Sequence, residues 1–411
     1  MQGQSLDYFV SMRLVRSANQ SWSSIMLLLL VMSLGNCTRV FQVLAPFSDL
    51  PAPTGPYSVA TRSTTWIDSS RDETFTPKQD FRKIVVQVWF PISKQEDLIS
   101  LPYIDAPELR LPAIAKQLRL PLSLIKHFGE VKTNTSASSD GSGIDQEFPL
   151  ILFSHGLSGM RFQNTAIIEE LASYGYVIFA ADHSYGANIT IFDDGETAEY
   201  RAGKRRALNE NFLNTIDLSQ LGILVGDLRF IMDMIVDENQ NHFLLNLPMD
   251  TSRIGVMGHS LGGAAVINTM AVDARVDAAM ILDGWYAPVP DSVVATGLKQ
   301  PIFHLGQKQW SDHDNYARMD AMLSESRGPV YKMLVPGTLH TDFTDMPLFT
   351  SFSLFIGYTM VQDPIRLNDL LRVNTASFFN VYLKDHPSSE LLDQILSEKD
   401  VTSYIFTPVS P

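Results

Sequence analysis

With 411 residues, 45% of them hydrophobic, the chain can bury a large core, and an α/β catalytic domain of this length is commonly single. Against 45 Asp and Glu stand 31 Lys and Arg, a formal net charge of -14, which argues against nucleic acid as a partner because phosphate binding needs clustered cations. The dense basic stretch at residues 201–206 is short and reads as a solvated face of helix or loop.

Arg13 and Arg16 precede an apolar run at residues 25–34 and then Gly35-Asn36-Cys37, the charged, hydrophobic and small-residue parts of an export signal. Roughly ten apolar residues are too few to span a bilayer comfortably. Cys37 is the single cysteine and stands where a bacterial lipoprotein signal places the residue that is lipidated after cleavage, although Asn36 departs from the small residue usual before it. Residues 1–36 are therefore expected to be an export signal, with Met12 as an alternative start. Cys37 is expected to carry a lipid anchor facing the periplasm or cell exterior, with simple secretion the alternative. An internal disulfide is impossible with one thiol. The proline-containing residues 37–54 are expected to tether a body of residues 55–408 off a membrane surface.

Within that body, residues 84–90 are apolar and β-branched, end at Pro91 and predict an early strand. Residues 102–124 carry helical apolar spacing between prolines. Residues 133–143, rich in Ser, Thr, Gly and Asp, have loop composition. From Phe148 strand and helix alternate: residues 149–153, 163–174 and 176–181 read as strand, helix, strand. Leu221, Leu224, Leu228, Met232 and Ile235 then mark one helix face. Further short apolar strands are expected at residues 254–257, 278–282, 301–305 and 331–335. Such alternation implies a mostly parallel sheet with helices on both faces, and no internal repeat interrupts it.

The strand at 254–257 runs into Gly258-His259-Ser260-Leu261-Gly262 and then into a small-residue helix. G-x-S-x-G between strand and helix places a serine on a tight turn, with its hydroxyl pushed into a cleft and helix N-terminal amides beside it. A serine becomes a nucleophile when an imidazole takes its proton, and the imidazole needs a carboxylate to fix its tautomer and stabilise its charge. Of nine histidines, His340 lies in a glycine-containing loop beyond the last strand and is the best base. His259 inside the turn should point away from Ser260, His155 should shape the Ser154-His155-Gly156-Leu157 turn, and His183 should pack near the site. His127, His242, His304, His313 and His386 read as surface or core residues.

For the acid, a fold template offers Asp312 or Asp314 in a polar run, or Asp283 at the end of an apolar strand. The end of an apolar strand is a place for a buried carboxylate, which favours Asp283. The oxyanion donors should be the amide of Leu261, directly after the nucleophile, and that of Leu157 in the loop after an earlier strand.

The segments Gly55-Pro-Tyr-Ser-Val59, Phe153-Ser-His-Gly-Leu157, Gly258-His-Ser-Leu-Gly-Gly263, Leu282-Asp-Gly-Trp285 and His340-Thr-Asp-Phe343 together resemble the type II platelet-activating factor acetylhydrolases and their bacterial relatives. The resemblance covers most of the chain after residue 54. It implies an α/β-hydrolase fold, Ser260 as nucleophile, Asp283 as acid, His340 as base and the amides of Leu157 and Leu261 as oxyanion site, with no cofactor and no metal. It also implies calcium-independent release of short or oxidised sn-2 acyl chains from phospholipids, with Trp285 and Met346 near the acyl pocket. Two departures bear on substrate choice: Ser158 stands where relatives often have glycine, and Leu261 where vertebrate members carry a bulky aromatic.

Two other readings compete. One is a cutinase-, polyesterase- or dienelactone-type ester hydrolase on the same fold. The other is a non-catalytic binding lipoprotein, which would not react with a fluorophosphonate.

Overall fold

The computed structural model describes residues 42–43, 45–95, 98–137, 144–201, 219–236, 243–244, 246–310 and 313–406. The expected export signal, Met12, Cys37, Asp312 and residues 202–206 of the basic stretch lie outside the described residues.

The central strands are apolar at odd and even positions alike because both of their faces are covered. These strands are β5 (Phe148–Ser154), β6 (Val177–Asp182), β9 (Met249–His259), β10 (Val276–Leu282), β11 (Ile302–Gln307) and β12 (Val330–Val335). Successive side chains of a strand point to opposite faces. Ile151, Phe153, Met280 and Leu282 accordingly pack with Ile167, Leu171, Leu371 and Phe379 from the helices Thr165–Ser173 and Pro364–Leu383. Leu150, Leu152, Ile254 and Val256 pack on the other face with Leu224, Leu228, Ala264 and Val266 from the helices Ser219–Val236 and Leu261–Val272.

The remaining strands complete the flanks: β1 (Ser58–Asp72), β2 (Phe81–Ile92), β3 (Ser100–Pro102), β4 (Lys132–Ala137) and β13 (Thr402–Phe406). Among the described residues, eleven strands form one sheet in the order β13-β12-β11-β10-β9-β5-β6-β2-β1-β4-β3, and β7 (Ile189–Ile191) with β8 (Thr197–Glu199) forms a small separate hairpin. The six strands from β6 to β12 in that order are mutually parallel, whereas β2 runs antiparallel to β6 and to β1, and β13 antiparallel to β12. The expected mostly parallel sheet with helices on both faces is what the structure shows.

Two expectations are corrected. Residues 133–143 do not all form a loop: Lys132–Ala137 is a strand, and Thr135 pairs with Val59 of β1. Its polar side chains have buried work to do, since Asn134 Nδ2 and the Thr135 hydroxyl both donate to the carboxyl group of Glu169. The second correction concerns residues 45–54, which are no free tether but a strap laid on the body. Ala45 and Leu50 are buried, and Phe47 stacks on Phe128 at 4.8 Å. The backbone of Ser48 donates to Phe349 O at 2.7 Å, that of Thr54 donates to Glu170 at 2.9 Å, and Ala52 O accepts from Arg372 at 3.1 Å. Apolar residues spaced between the prolines, together with backbone groups that find partners, hold the strap down.

Candidate active site

β9 ends at His259, and the next residue turns sharply: Ser260 has φ 57 and ψ -119 before the helix begins at Leu261. A non-glycine residue there costs about 1–3 kcal/mol and persists only where its surroundings hold it. They do so here through backbone bonds on both sides of the residue. Ser260 N donates to Leu282 O at 3.1 Å, while Ser260 O accepts from Trp285 N at 2.9 Å and from Gly263 N at 3.0 Å. The two motif glycines are required by contact: a Cβ on Gly258 would lie 2.3 Å from Gly262 O, and one on Gly262 would lie 2.0 Å from Ser154 O. The elbow is thus packed directly against the end of β5.

The loop that leaves β5 passes over the serine. A Cβ on Gly156 would sit 3.0 Å from both Ser260 Cβ and His259 Nδ1, so any other residue would push the loop or these side chains apart. Leu157 follows, half-buried, and packs in the same apolar cluster as Leu261 and Trp285. Ser158 takes φ 55, with its N–H donating to Gly186 O at 2.9 Å, and Gly159 N returns to Gly156 O at 2.9 Å. The amide of Leu261 is the first of its helix, where no intrahelical carbonyl is available to it.

Asp283, the residue after β10, is completely buried and has φ 44. Its Oδ2 accepts from His340 Nδ1 at 2.6 Å and from Gln307 Nε2 at 2.9 Å. Its Oδ1 accepts from Gln307 N at 3.0 Å and from Trp310 Nε1 at 2.9 Å, with the Tyr316 hydroxyl at 3.4 Å. Burial alone would raise this carboxyl, but the donors, His340 foremost, outweigh it and hold the group below its ordinary value. A buried carboxylate held ionised beside an imidazole can stabilise a positive charge there.

His340 opens the turn His340–Phe343 beyond β12, and its side chain is 30% exposed, so the ring bonded to Asp283 has an edge toward solvent. The ring lies between two others: His259 stacks on it at 4.5 Å, and Trp310 meets it edge-on at 4.8 Å. The turn is anchored from behind. Asp342 accepts from Leu339 N at 2.7 Å, Asn164 Nδ2 donates to Phe343 O at 2.8 Å, and buried Asp345 accepts from Ala166 N at 3.2 Å and Tyr103 OH at 3.2 Å.

The other central histidines are committed elsewhere. His259 Nε2 donates to His340 O at 3.2 Å and Nδ1 accepts from Gln163 Nε2 at 3.0 Å. Burial and the neighbouring His340 bring its pKa down to about 3. His155 Nδ1 donates to Gly156 O at 2.7 Å and Nε2 accepts from His183 N at 3.2 Å; burial lowers it to about 4. Both rings serve structure with both nitrogens.

The structure therefore brings Ser260, Asp283 and His340 to the carboxyl ends of β9, β10 and β12 along one edge of the sheet, with Leu157, Leu261 and Trp285 around the serine. Trp285 is 6% exposed, and Met346 is half-buried at the start of the helical turn Met346–Phe349, six residues past His340. Asp314 is exposed on the helix His313–Glu325, and the acid bonded to His340 is Asp283. Sequence reasoning missed Gln307 and Trp310. The faint signal for them was a glutamine ending an apolar strand and a tryptophan three residues on, in a polar run.

The order of the strands, the strained serine between strand and helix, and acid and base at the ends of later strands define the α/β-hydrolase fold. The chain belongs to the family described as platelet-activating factor acetylhydrolase, isoform II, whose family model matches residues 44–386. That match takes in the strap. The chain is 28% identical to the platelet-activating factor acetylhydrolase of Gallus gallus over 59% of its own length and 63% of the relative's. It is 30% identical to that of Bos taurus over 52% and 51%. It thus spans less than two thirds of these vertebrate relatives. A protein of Arthroderma benhamiae named "Probable 1-alkyl-2-acetylglycerophosphocholine esterase" is 24% identical over 82% of this chain and 86% of its own. Among solved structures, a ferulic acid esterase from Streptomyces cinnamoneus superposes with a TM-score of 0.71 at 25% identity, covering 87% of this chain and 99% of that one.

Proposed function

We propose that the protein is a serine carboxylic-ester hydrolase that releases short or oxidised sn-2 acyl groups from phospholipids without calcium. The observation that carries the reaction type is the 2.6 Å bond from His340 Nδ1 to buried Asp283, which ends the strand next to the one whose elbow bears Ser260. With Nδ1–H committed to Asp283, His340 Nε2 is left to accept the serine proton. Ser260 Oγ then attacks the ester carbonyl, and the amides of Leu157 and Leu261 hold the oxyanion. As the tetrahedral intermediate collapses, His340 returns the proton to the departing alcohol and an acyl-serine remains. Water attacks it while His340 takes one of its protons, the acid leaves, and the serine is regenerated.

Membership in the acetylhydrolase family supports the choice of phospholipid esters with short acyl groups, and Trp285 beside Ser260 suits a compact acyl pocket. The near full-length likeness to a ferulic acid esterase favours one competing reading, hydrolysis of other small esters on the same fold. Turnover of acetyl, butyryl and long-chain phospholipid and p-nitrophenyl esters, with an aromatic-acid ester and a chelator arm, separates the two. The proposal requires highest kcat/KM on short-chain phospholipid, retained in chelator. Preference for the aromatic-acid ester would overturn the substrate, and unchanged turnover by Ser260→Ala would overturn the mechanism. On the sequence pattern alone we further propose export and lipidation at Cys37, tested by the mass of the mature N-terminal peptide.

A further inference from the structure

Beside the catalytic set lies a second Ser-His-Asp series that no substrate can reach. Ser154 Oγ and His183 Nε2 are 2.9 Å apart, and His183 Nδ1 and Asp227 Oδ2 are 2.9 Å apart, with all three residues completely buried. Ser154 ends β5 in regular strand and lacks the strained turn that presents Ser260. Asp227 is in turn gripped by Arg82, Nε to Oδ1 at 3.0 Å and Nη2 to Oδ2 at 2.7 Å, and by Arg71 at 2.9 Å, while Arg82 also binds Glu73 at 2.9 Å and Ser184 O at 3.0 Å.

What this series touches is the loop over the nucleophile. Ser154 is the residue from which that loop departs. The backbone N–H of His183 donates to His155 Nε2, and His155 Nδ1 donates to Gly156 O, directly before Leu157. A fully satisfied buried polar network admits one arrangement of its members, because any shift leaves a desolvated donor or acceptor without a partner. Apolar packing at these positions would fill space without that selectivity.

We propose that Ser154, His183 and Asp227 form a positioning relay that fixes the height of the Gly156-Leu157 backbone above Ser260, and so the aim of the Leu157 amide. This deepens the mechanism proposed above and rests on it. A misaimed amide weakens the tetrahedral oxyanion and leaves ground-state ester binding nearly unchanged, so the relay acts on kcat rather than on KM.

The test uses the full protein with Ser154→Ala, which deletes one hydroxyl, and His183→Gln as a second variant, both assayed well below their melting temperatures. The relay requires a fall in kcat of roughly tenfold with KM within about twofold. It also requires an alkylboronic acid, which forms a tetrahedral adduct on the nucleophile, to lose affinity in the same proportion. A melting temperature that falls while kcat and boronate inhibition stay within about twofold of the parent overturns the relay. Ser260→Ala is run in parallel: if it keeps its esterase activity, the catalytic reading itself fails, whereas an inactive Ser260→Ala beside an unimpaired Ser154→Ala condemns only the relay.

Discussion

The indole N–H of Trp310 donates to Asp283 Oδ1 at 2.9 Å, on the opposite oxygen from the one that His340 holds. The same indole packs edge-on against the His340 ring at 4.8 Å. One side chain therefore sets both the rotation of the Asp283 carboxylate and the tilt of the His340 ring. Trp310→Phe keeps a ring against His340 and removes the donor. Its kcat should fall several-fold, on the order of 1 kcal/mol in the barrier for one lost hydrogen bond to a charged group, with KM unchanged. Steady-state kinetics on a p-nitrophenyl ester decide it; a pure KM effect would assign Trp310 to substrate binding instead.

Asp283→Asn should be far more damaging. Asparagine cannot stabilise an imidazolium and can present its amide to Nδ1, forcing the wrong tautomer on His340. A loss on the order of 10³–10⁴ in kcat is expected, with the far-ultraviolet dichroism of the parent. A variant with nearly parental turnover would return the acid to the segment that contains Asp312.

Glu169 offers a dependence of stability on pH. It is completely buried, and burial raises its pKa from 4.5 to about 7, with bonds from Thr135 and Asn134 pulling back only part of the way. Between those values the folded chain keeps a proton that the unfolded chain has released. The folded state binds more protons there, so this group's contribution to stability is full below pH 4.5, declines as pH rises, and is gone above about 7. Glu169→Gln should flatten that decline, as read from denaturation midpoints at a series of pH values. An identical slope in parent and variant would mean that Glu169 is ionised in the folded protein.

Phe47→Ala tests whether the strap bears load. Phe47 stacks on Phe128 and meets His127 at 4.6 Å, but is only partly buried, so a loss of about 1–2 kcal/mol in unfolding free energy is expected. A free tether would show no change in melting temperature.

The elements to which chemistry is assigned in the proposed function are legible in the sequence because their signals are local. Ser260 is announced by the glycines around it, which the structure explains as contacts with Gly262 O and Ser154 O. Asp283 stands out as the first polar residue after an apolar strand, and the parallel sheet follows from strands that are apolar on both faces. β1 gives no such sign: polar Ser58, Thr61 and Asp68 are buried in it while Ser63, Ser69 and Asp72 are exposed, so no apolar run marks the strand. Trp310 and Gln307 act on an atom more than twenty residues away in sequence, and a polar run does not declare which of its members will fold back. The strap was obscured by its prolines, which suggest a spacer whether or not the intervening side chains are docked.

The strap's bond from Ser48 to Phe349 moors it to the same stretch of chain that carries His340. Force or slack arriving along the strap is therefore delivered nine residues from His340. Cleavage or trimming in that stretch would loosen the support of His340 while the sheet stays paired, and on the proposed mechanism it would leave a protein that keeps its shape yet turns over slowly.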